Sequence, residues 1–316
     1  LMLCGSYAVV HGRPTVVTAV DQRIYVTIEE RDDSLVLINA PDVGVTEYKK
    51  PISNLSDSNS AKQIRFIETL YKNFLAKYPQ KFGLNILTKS DFSKNFGFGS
   101  SSAVTVALAK ALFELYKIEV TNKQIFDFCY ETVIEVQGVG SGFDLAAGIW
   151  GGTIYYVTPA KVVEKIEIDT LPIVVGYTGV KADTPTLVKK VNERLDRNSE
   201  KINKIFDKVG LISDQMKEEL EAKNWPKAGQ LLNQHQEMMS SLDLSSPELD
   251  KLIDFANKAG AFGSAFSGAG GGDCMLAMAS KEKTRQVESA IDQAGGQVMD
   301  VKLNAPGVRI EKSYVI

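Results

Sequence analysis

The sequence predicts an α+β protein made of two α/β halves, each built around a mixed sheet. Three observations lead there. At 316 residues the chain is long enough for two cores. Runs of β-branched residues alternate with stretches of three-to-four apolar spacing along its length. Glycine-rich turns at 97–99, 138–142 and 267–273 punctuate both halves, and no fixed-period repeat or low-complexity tract suggests a solenoid.

The elements follow in chain order. Residues 16–20 and 24–28 are β-branched and read as strands after the turn at Gly12-Arg13-Pro14. Residues 39–60 are polar, with Pro41, Pro51 and many Ser and Asp, and read as loops. Ile64, Ile67, Leu70, Tyr71 and Phe74 line one face of a helix over 63–78. A strand is expected at 83–88, then helices at 103–116 and 122–137. Residues 152–157 and 171–176 read as strands, and 183–242 as helices rich in Lys, Glu and Leu. A helix at 246–259, a strand at 274–279, a helix at 281–294 and a strand near 297–303 complete the pattern. The boundary is placed at 168/169, giving domains 1–168 and 169–316.

Composition excludes several function classes. Hydrophobic residues make up 44% and charged residues 24%, close to globular averages. The formal net charge of −3 gives no bulk attraction for nucleic acid, and no interleaved basic and aromatic stripe supports a nucleic-acid-binding α/β domain. No apolar run reaches the length of a membrane span, and Leu1-Met2-Leu3-Cys4 lacks the charged start and cleavage pattern of a signal peptide. Cys4, Cys129 and Cys274 are odd in number and far apart, which argues against disulfides and for a reduced, cytoplasmic setting. His11 and His235, the two histidines, are too few for a His-rich metal site.

The most informative stretch is 94–104, with Gly97-Phe98-Gly99-Ser100-Ser101-Ser102 at its centre. Gly97 and Gly99 let the backbone turn tightly and approach a ligand where a Cβ would collide. Ser100, Ser101 and Ser102 then stand at the mouth of a strong helix, where unpaired N–H groups and the helix dipole hold phosphate oxygens. The segment is neither a Walker motif nor the Rossmann spacing. By itself it fits a serine-capped helix equally well. The second turn, Gly138-Val139-Gly140-Ser141-Gly142-Phe143-Asp144, sets one carboxylate after a closely packed bend. A lone Asp there is ordinarily an N-cap. The third, Ser267-Gly268-Ala269-Gly270-Gly271-Gly272-Asp273, lays bare backbone between a helix and a strand.

Taken together in this order, with Gly5-Ser6-Tyr7-Ala8-Val9 at the start, these segments resemble the motifs of the GHMP kinases (galactokinase, homoserine, mevalonate and phosphomevalonate kinases) over about residues 1–280. The resemblance implies a two-domain GHMP kinase fold, an N-terminal ribosomal-protein-S5-domain-2-like domain and a C-terminal ferredoxin-like domain. It implies an ATP-dependent phosphotransferase of isoprenoid synthesis that uses Mg²⁺. Asp144 would face the acceptor hydroxyl, and Gly97, Gly99, Ser100, Ser101 and Ser102 would hold the ATP phosphates, with Ser101 on the metal. Tyr7, His11, Ser141, Gly142 and Lys181 would lie near substrate, and Gly268, Ala269, Gly270 and Gly271 in a closing loop. Two departures stand out. Ser6 replaces the usual Glu, and the family lysine would fall ahead of Leu1, so the polypeptide is expected to begin earlier. Both motivate a second class of reading, a nucleotide-binding regulatory protein without turnover.

Two acceptors compete. The segments nearest the chemistry lean to phosphomevalonate kinase, making 5-diphosphomevalonate, and that reading is preferred. Residues 8–12, 178–184 and 233–252 lean to mevalonate kinase. A phosphorylated acceptor needs an extra cation, for which Lys181, Arg13 and Lys94 are the candidates. The expected partners are these small molecules and ATP, without nucleic acid or membrane; a homodimer is compatible with the reading.

Overall fold

The computed structural model describes residues 1–56, 61–93 and 96–311. The chain divides into two compact units that do not follow chain order. One contains Leu1–Asp21, Asn95–Phe98 and Gly151–Pro306, the other Gln22–Lys94, Gly99–Trp150 and Gly307–Ile316. The boundary placed at 168/169 coincides with neither.

The N-terminal half of the chain supplies β1 (Met2–Cys4), β2 (Thr15–Thr18), β3 (Ile24–Glu30), β4 (Leu35–Ala40) and β5 (Val45–Pro51). Next come α1 (Arg65–Lys77), β6 (Leu84–Ser90), α2 (Ser100–Leu115), α3 (Asn122–Gln137) and α4 (Phe143–Trp150). β7 (Thr153–Val157), β8 (Val162–Ile166) and β9 (Ile173–Tyr177) follow, then α5 (Thr184–Arg197), α6 (Ser199–Glu221) and α7 (Trp225–Ser240). The chain continues with α8 (Pro247–Lys258), β10 (Gly263–Phe266), β11 (Cys274–Met278), α9 (Thr284–Gln293) and β12 (Gln297–Val298).

In the unit that carries α1–α4, the sheet runs β3-β6-β4-β5, with β4 and β6 parallel and the other pairs antiparallel. One face buries Val36, Ile38, Leu84 and Ile86, and α1 and α2 bury Leu70, Tyr71, Phe74, Leu108 and Leu112. Rings of Phe74, Phe113 and Phe128 meet edge-on at 5.5–6.3 Å, which gives this core its stiff centre. β5 lies inside the stretch expected to be loop. Its Glu47, Lys49 and Lys50 mask the strand pattern, and Lys50 turns inward to meet the fully buried Glu68 at 3.4 Å. α3 begins at a capping box, Thr121 with Gln124, and stops at Gly138 in the left-handed conformation.

The other unit holds two sheets, β1-β2-β7-β8 and β10-β11-β9-β12. Their apolar residues share one cluster in which Leu3, Cys4 and Val16 meet Val175, Ala265, Leu276 and Met278. β10 is an edge strand, and α7 covers it. Asn233 Oδ1 accepts from the Ser264 N–H at 2.9 Å and Gln236 Oε1 from the Phe266 N–H at 3.1 Å, so the outward N–H groups are paired by side chains. Among the described residues, no helix is long and apolar enough to cross a membrane.

Candidate active site

In the α1–α4 unit, the site is built on the first turn of α2. Gly99 is its N-cap at φ +69°, a left-handed conformation that side chains resist. A Cβ there would meet Asp144 Cβ at 3.5 Å, an ordinary contact, so backbone conformation rather than space calls for glycine. Among the described residues no side chain caps the helix, so its first N–H groups have no side-chain acceptor from the cap. Ser100, Ser101 and Ser102 form this turn; Ser102 is buried and the other two are half-buried.

Asp144 comes to the same place from α4. The bend before it is fixed by Gly138 and Gly142, both at positive φ, and by the Tyr130 hydroxyl, which donates to the Gly140 carbonyl at 2.8 Å. Gly142 also starts α4, accepting from the Ala146 N–H at 2.9 Å. Asp144 Oδ2 accepts from the Ser102 hydroxyl at 2.5 Å, and Oδ1 from the Leu145 N–H at 3.0 Å. A half-buried carboxylate is thereby fixed in orientation beside an uncapped helix N-terminus. Ser141 is buried in the same bend. Ser102, not Ser101, is the serine whose hydroxyl meets Asp144; the Ser101 carbonyl accepts from the Thr105 hydroxyl at 2.7 Å.

The remaining candidates belong to the other unit. Tyr7 stands at φ +61° and its hydroxyl donates to the Ala269 carbonyl at 2.8 Å, tying the first motif to the third. Burial pushes its phenol well above the ordinary range, which keeps it a donor. Ser6 is buried against Met2 Sδ, and its N–H donates to His235 Nε2 at 3.4 Å. The side chain at the departure from the family Glu therefore points into the interior of this unit. His11 stacks on Phe206 at 4.8 Å, and burial with Arg13 nearby lowers its pKa. Arg13 is engaged by Asp207, Asn203 and the His11 carbonyl. Lys181 is exposed, and Lys94 lies outside the described residues. Gly270 packs on Leu244, where a Cβ would lie 2.1 Å from the carbonyl oxygen, and Gly271 packs on the Leu187 side chain while its N–H donates to the Leu244 carbonyl at 2.9 Å. Gly268, at φ +87°, has open space. Gly97 presses against Asp273, whose Oδ2 would be 2.7 Å from a Cβ.

Residues 65–152 match the model of the GHMP kinases N terminal domain, and residues 216–297 that of the GHMP kinases C terminal domain. The mevalonate kinase of Pyrococcus abyssi is 32% identical, across 99% of this chain and 96% of that protein. The chain belongs to the GHMP kinases. More distant curated relatives of this GHMP kinase include the mevalonate kinase of Saccharolobus solfataricus, 26% identical over 98% of this chain and 95% of that one. Among solved structures, the Lin0012 protein from Listeria innocua superposes with a TM-score of 0.85 at 21% identity, covering 96% of each chain. The Streptococcus pneumoniae phosphomevalonate kinase does so at 0.79 and 19% identity, over 96% of this chain and 97% of that one. These likenesses confirm the expected two-domain GHMP fold. These curated relatives are mevalonate kinases, which sets this GHMP kinase on the mevalonate-pathway branch.

Among the described residues no set of three His, Cys, Asp or Glu side chains could hold a metal. What this GHMP kinase offers is one carboxylate, Asp144, and serine hydroxyls on the first turn of α2. Mg²⁺ takes one or two carboxylates and leaves its other positions to waters and substrate phosphates. The donors therefore fit Mg²⁺ that arrives with a nucleotide. Two contacts escaped the sequence reading. The pairing of Ser102 with Asp144 joins positions 42 apart in sequence, which no local pattern encodes. His235, at the end of the Ser6 contact, read only as one of two scattered histidines.

Proposed function

We propose that this GHMP kinase transfers the γ-phosphoryl group of ATP to the hydroxyl of mevalonate, giving 5-phosphomevalonate and ADP. The observation that carries the reading is the Asp144 carboxylate, oriented by Ser102 beside the uncapped N-terminus of α2. Phosphoryl transfer needs positioning and charge neutralisation more than covalent help. The N–H groups and dipole of α2 supply neutralisation for the β- and γ-phosphates, with Gly99, Ser100, Ser101 and Ser102 as the binding turn. Asp144 orients the acceptor hydroxyl and takes its proton as the oxygen bonds to γ-phosphorus and the bond to the β-phosphate oxygen breaks. When bound, Mg²⁺ would neutralise phosphate charge, with the Ser101 hydroxyl as the protein group that would hold it and Asp144 left free to take the proton.

Mevalonate is chosen over 5-phosphomevalonate because the curated relatives at 30–32% identity are mevalonate kinases. A second observation agrees. Arg13, one of the cations considered for an acceptor phosphate, is already paired with Asp207 at 3.0 Å. The glycine-turn motifs cannot separate the two acceptors, since they serve the triphosphate and the transferring oxygen in either case.

The test is a side-by-side assay of the purified protein with mevalonate and 5-phosphomevalonate, in wild type and in Asp144→Asn. The expected outcome is turnover with mevalonate, and a fall in kcat of about 10³-fold in Asp144→Asn with ATP binding nearly intact. Preference for 5-phosphomevalonate overturns the acceptor. Absence of turnover with either, with ATP still bound, favours the regulatory reading.

A further inference from the structure

α4 has only eight residues, and Asp144 is the second of them. A helix of that length spans about 12 Å and has too few internal hydrogen bonds to hold its own direction. The stance of Asp144 is therefore decided by whatever holds α4. Its carboxylate is bonded to α2 through the Ser102 hydroxyl, while the bond from the Leu145 N–H moves with α4 itself. Leu145, Ala146 and Ile149 are buried and fix which face turns inward, but apolar burial is non-directional. A hydrogen bond adds a fixed distance and angle.

The far end of α4 is closed in an uncommon way. Helices are often capped by N–H groups of the residues just past their end. Gly151 and Gly152, at φ +64° and +70°, have the backbone for such a cap, yet the Gly152 N–H donates to the Ala305 carbonyl at 2.7 Å within the other unit. The Gly148 carbonyl, one of the last four of α4, accepts instead from the Val308 N–H at 2.8 Å. Val308 comes from a segment far along the chain, and both partners belong to the unit that carries α1–α4. The same segment runs on toward β3: burial, the nearby Asp91 and then the charge of Glu311 raise the Tyr25 phenol above its ordinary value.

We infer that Val308 is a positioning residue, whose main-chain N–H anchors the far end of α4 and thereby sets where the Asp144 carboxylate stands. The inference rests on the reading of Asp144 as the group that faces the acceptor hydroxyl. Gly148 lies four residues from Asp144, about 6 Å along the axis, so a shift at one end of this short rod is carried to the other. A displacement of about 1 Å at a reacting group can cost up to about 10²-fold in rate.

Three variants test this. Val308→Pro removes the N–H and keeps the chain length. Val308→Ala keeps the N–H and trims the side chain. A chain stopped after Gly307 removes the donor without a proline ring. Val308→Pro and the shortened chain are expected to lower kcat with mevalonate about tenfold, while Kd for an ATP analogue, by calorimetry, stays within about twofold. Val308→Ala is expected within about twofold of wild type in both quantities. Because Val308 acts through Asp144, adding Val308→Pro to Asp144→Asn is expected to lower kcat by less than about twofold further. A full tenfold fall in that background, a wild-type kcat in Val308→Pro, or an equal loss in Val308→Ala overturns the inference. So does loss of a cooperative melt in both Val308→Pro and the shortened chain, which would assign the segment to folding. Amide hydrogen exchange reads the anchor without turnover: faster exchange across residues 143–150 is expected in Val308→Pro, and unchanged exchange overturns the inference. A wild type with no turnover on either acceptor sinks the proposed reaction, while the exchange comparison still decides the role of Val308.

Discussion

The fully buried imidazole of His235 shows what one residue contributes to stability here. It stands on α7, accepts the Ser6 N–H through Nε2, and leaves Nδ1 without a partner among the described residues. Burial pushes its pKa down from 6.5 to about 4. The unfolded chain therefore binds a proton that the folded chain refuses between those two values. The His235 contribution is complete above about pH 6.5 and is lost as pH falls toward about 4, for a total of about 3 kcal/mol. The expected outcome is a Tm that drops over that window, and drops less in His235→Asn, measured by calorimetry at pH 7, 5.5 and 4.5. Equal slopes in the two proteins would falsify the assignment. Residues of this kind are hard to read in a sequence. Asp144 was legible because three glycines and a serine announce a bend just before it. Ser102 was legible as part of a helix mouth but not as the partner of Asp144. His235 had no signal, because its meaning depends on Ser6, 229 positions away.

At the scale of elements, helices with a clear apolar face were legible and small-residue strands were not. α1, α2, α3 and α8 fall within two or three residues of the periodicity reading, since one buried stripe is enough to define each. β10 was missed because Gly263-Ser264-Ala265-Phe266 carries almost no strand propensity. Its reason for being a strand is tertiary: α7 lies on it with no room for side chains between. A Cβ on Gly229 would approach the Phe262 backbone carbon to 2.6 Å, and one on Gly263 would lie 1.8 Å from the Gly229 carbonyl oxygen. Gly229→Ala is therefore expected to destabilise the protein by about 3 kcal/mol, since a packed helix cannot retreat without breaking the Asn233 and Gln236 bonds to the strand. Chemical denaturation measures this directly. A midpoint unchanged from wild type would mean that α7 is free to shift. Gly229 stood alone in a helical stretch, where sequence gives it only a propensity cost.

At the scale of the whole molecule, the order of elements was legible and their partition was not. A cut at 168/169 follows the rule that consecutive elements neighbour one another. The chain departs from it because β2 pairs with β7 along four residues, from Thr15 with Tyr156 to Thr18 with Thr153. Residues 1–21 thus belong with 151–306, and the cluster that joins Leu3, Cys4 and Val16 to Val175, Leu276 and Met278 has no equivalent without them. Sequence could not reveal this, because a pairing across some 135 positions leaves no periodic trace. Residues 169–316 are therefore not expected to fold as an independent domain. That fragment keeps β9–β12 and α5–α9 but loses β1, β2, β7 and β8 together with the apolar residues they bury. Expressed alone, it is expected to show helical circular dichroism without a cooperative melt, because its exposed apolar face has lost the surface that covered it. A sharp two-state transition in the isolated fragment would show that the N-terminal strands are an addition to that unit rather than part of its core.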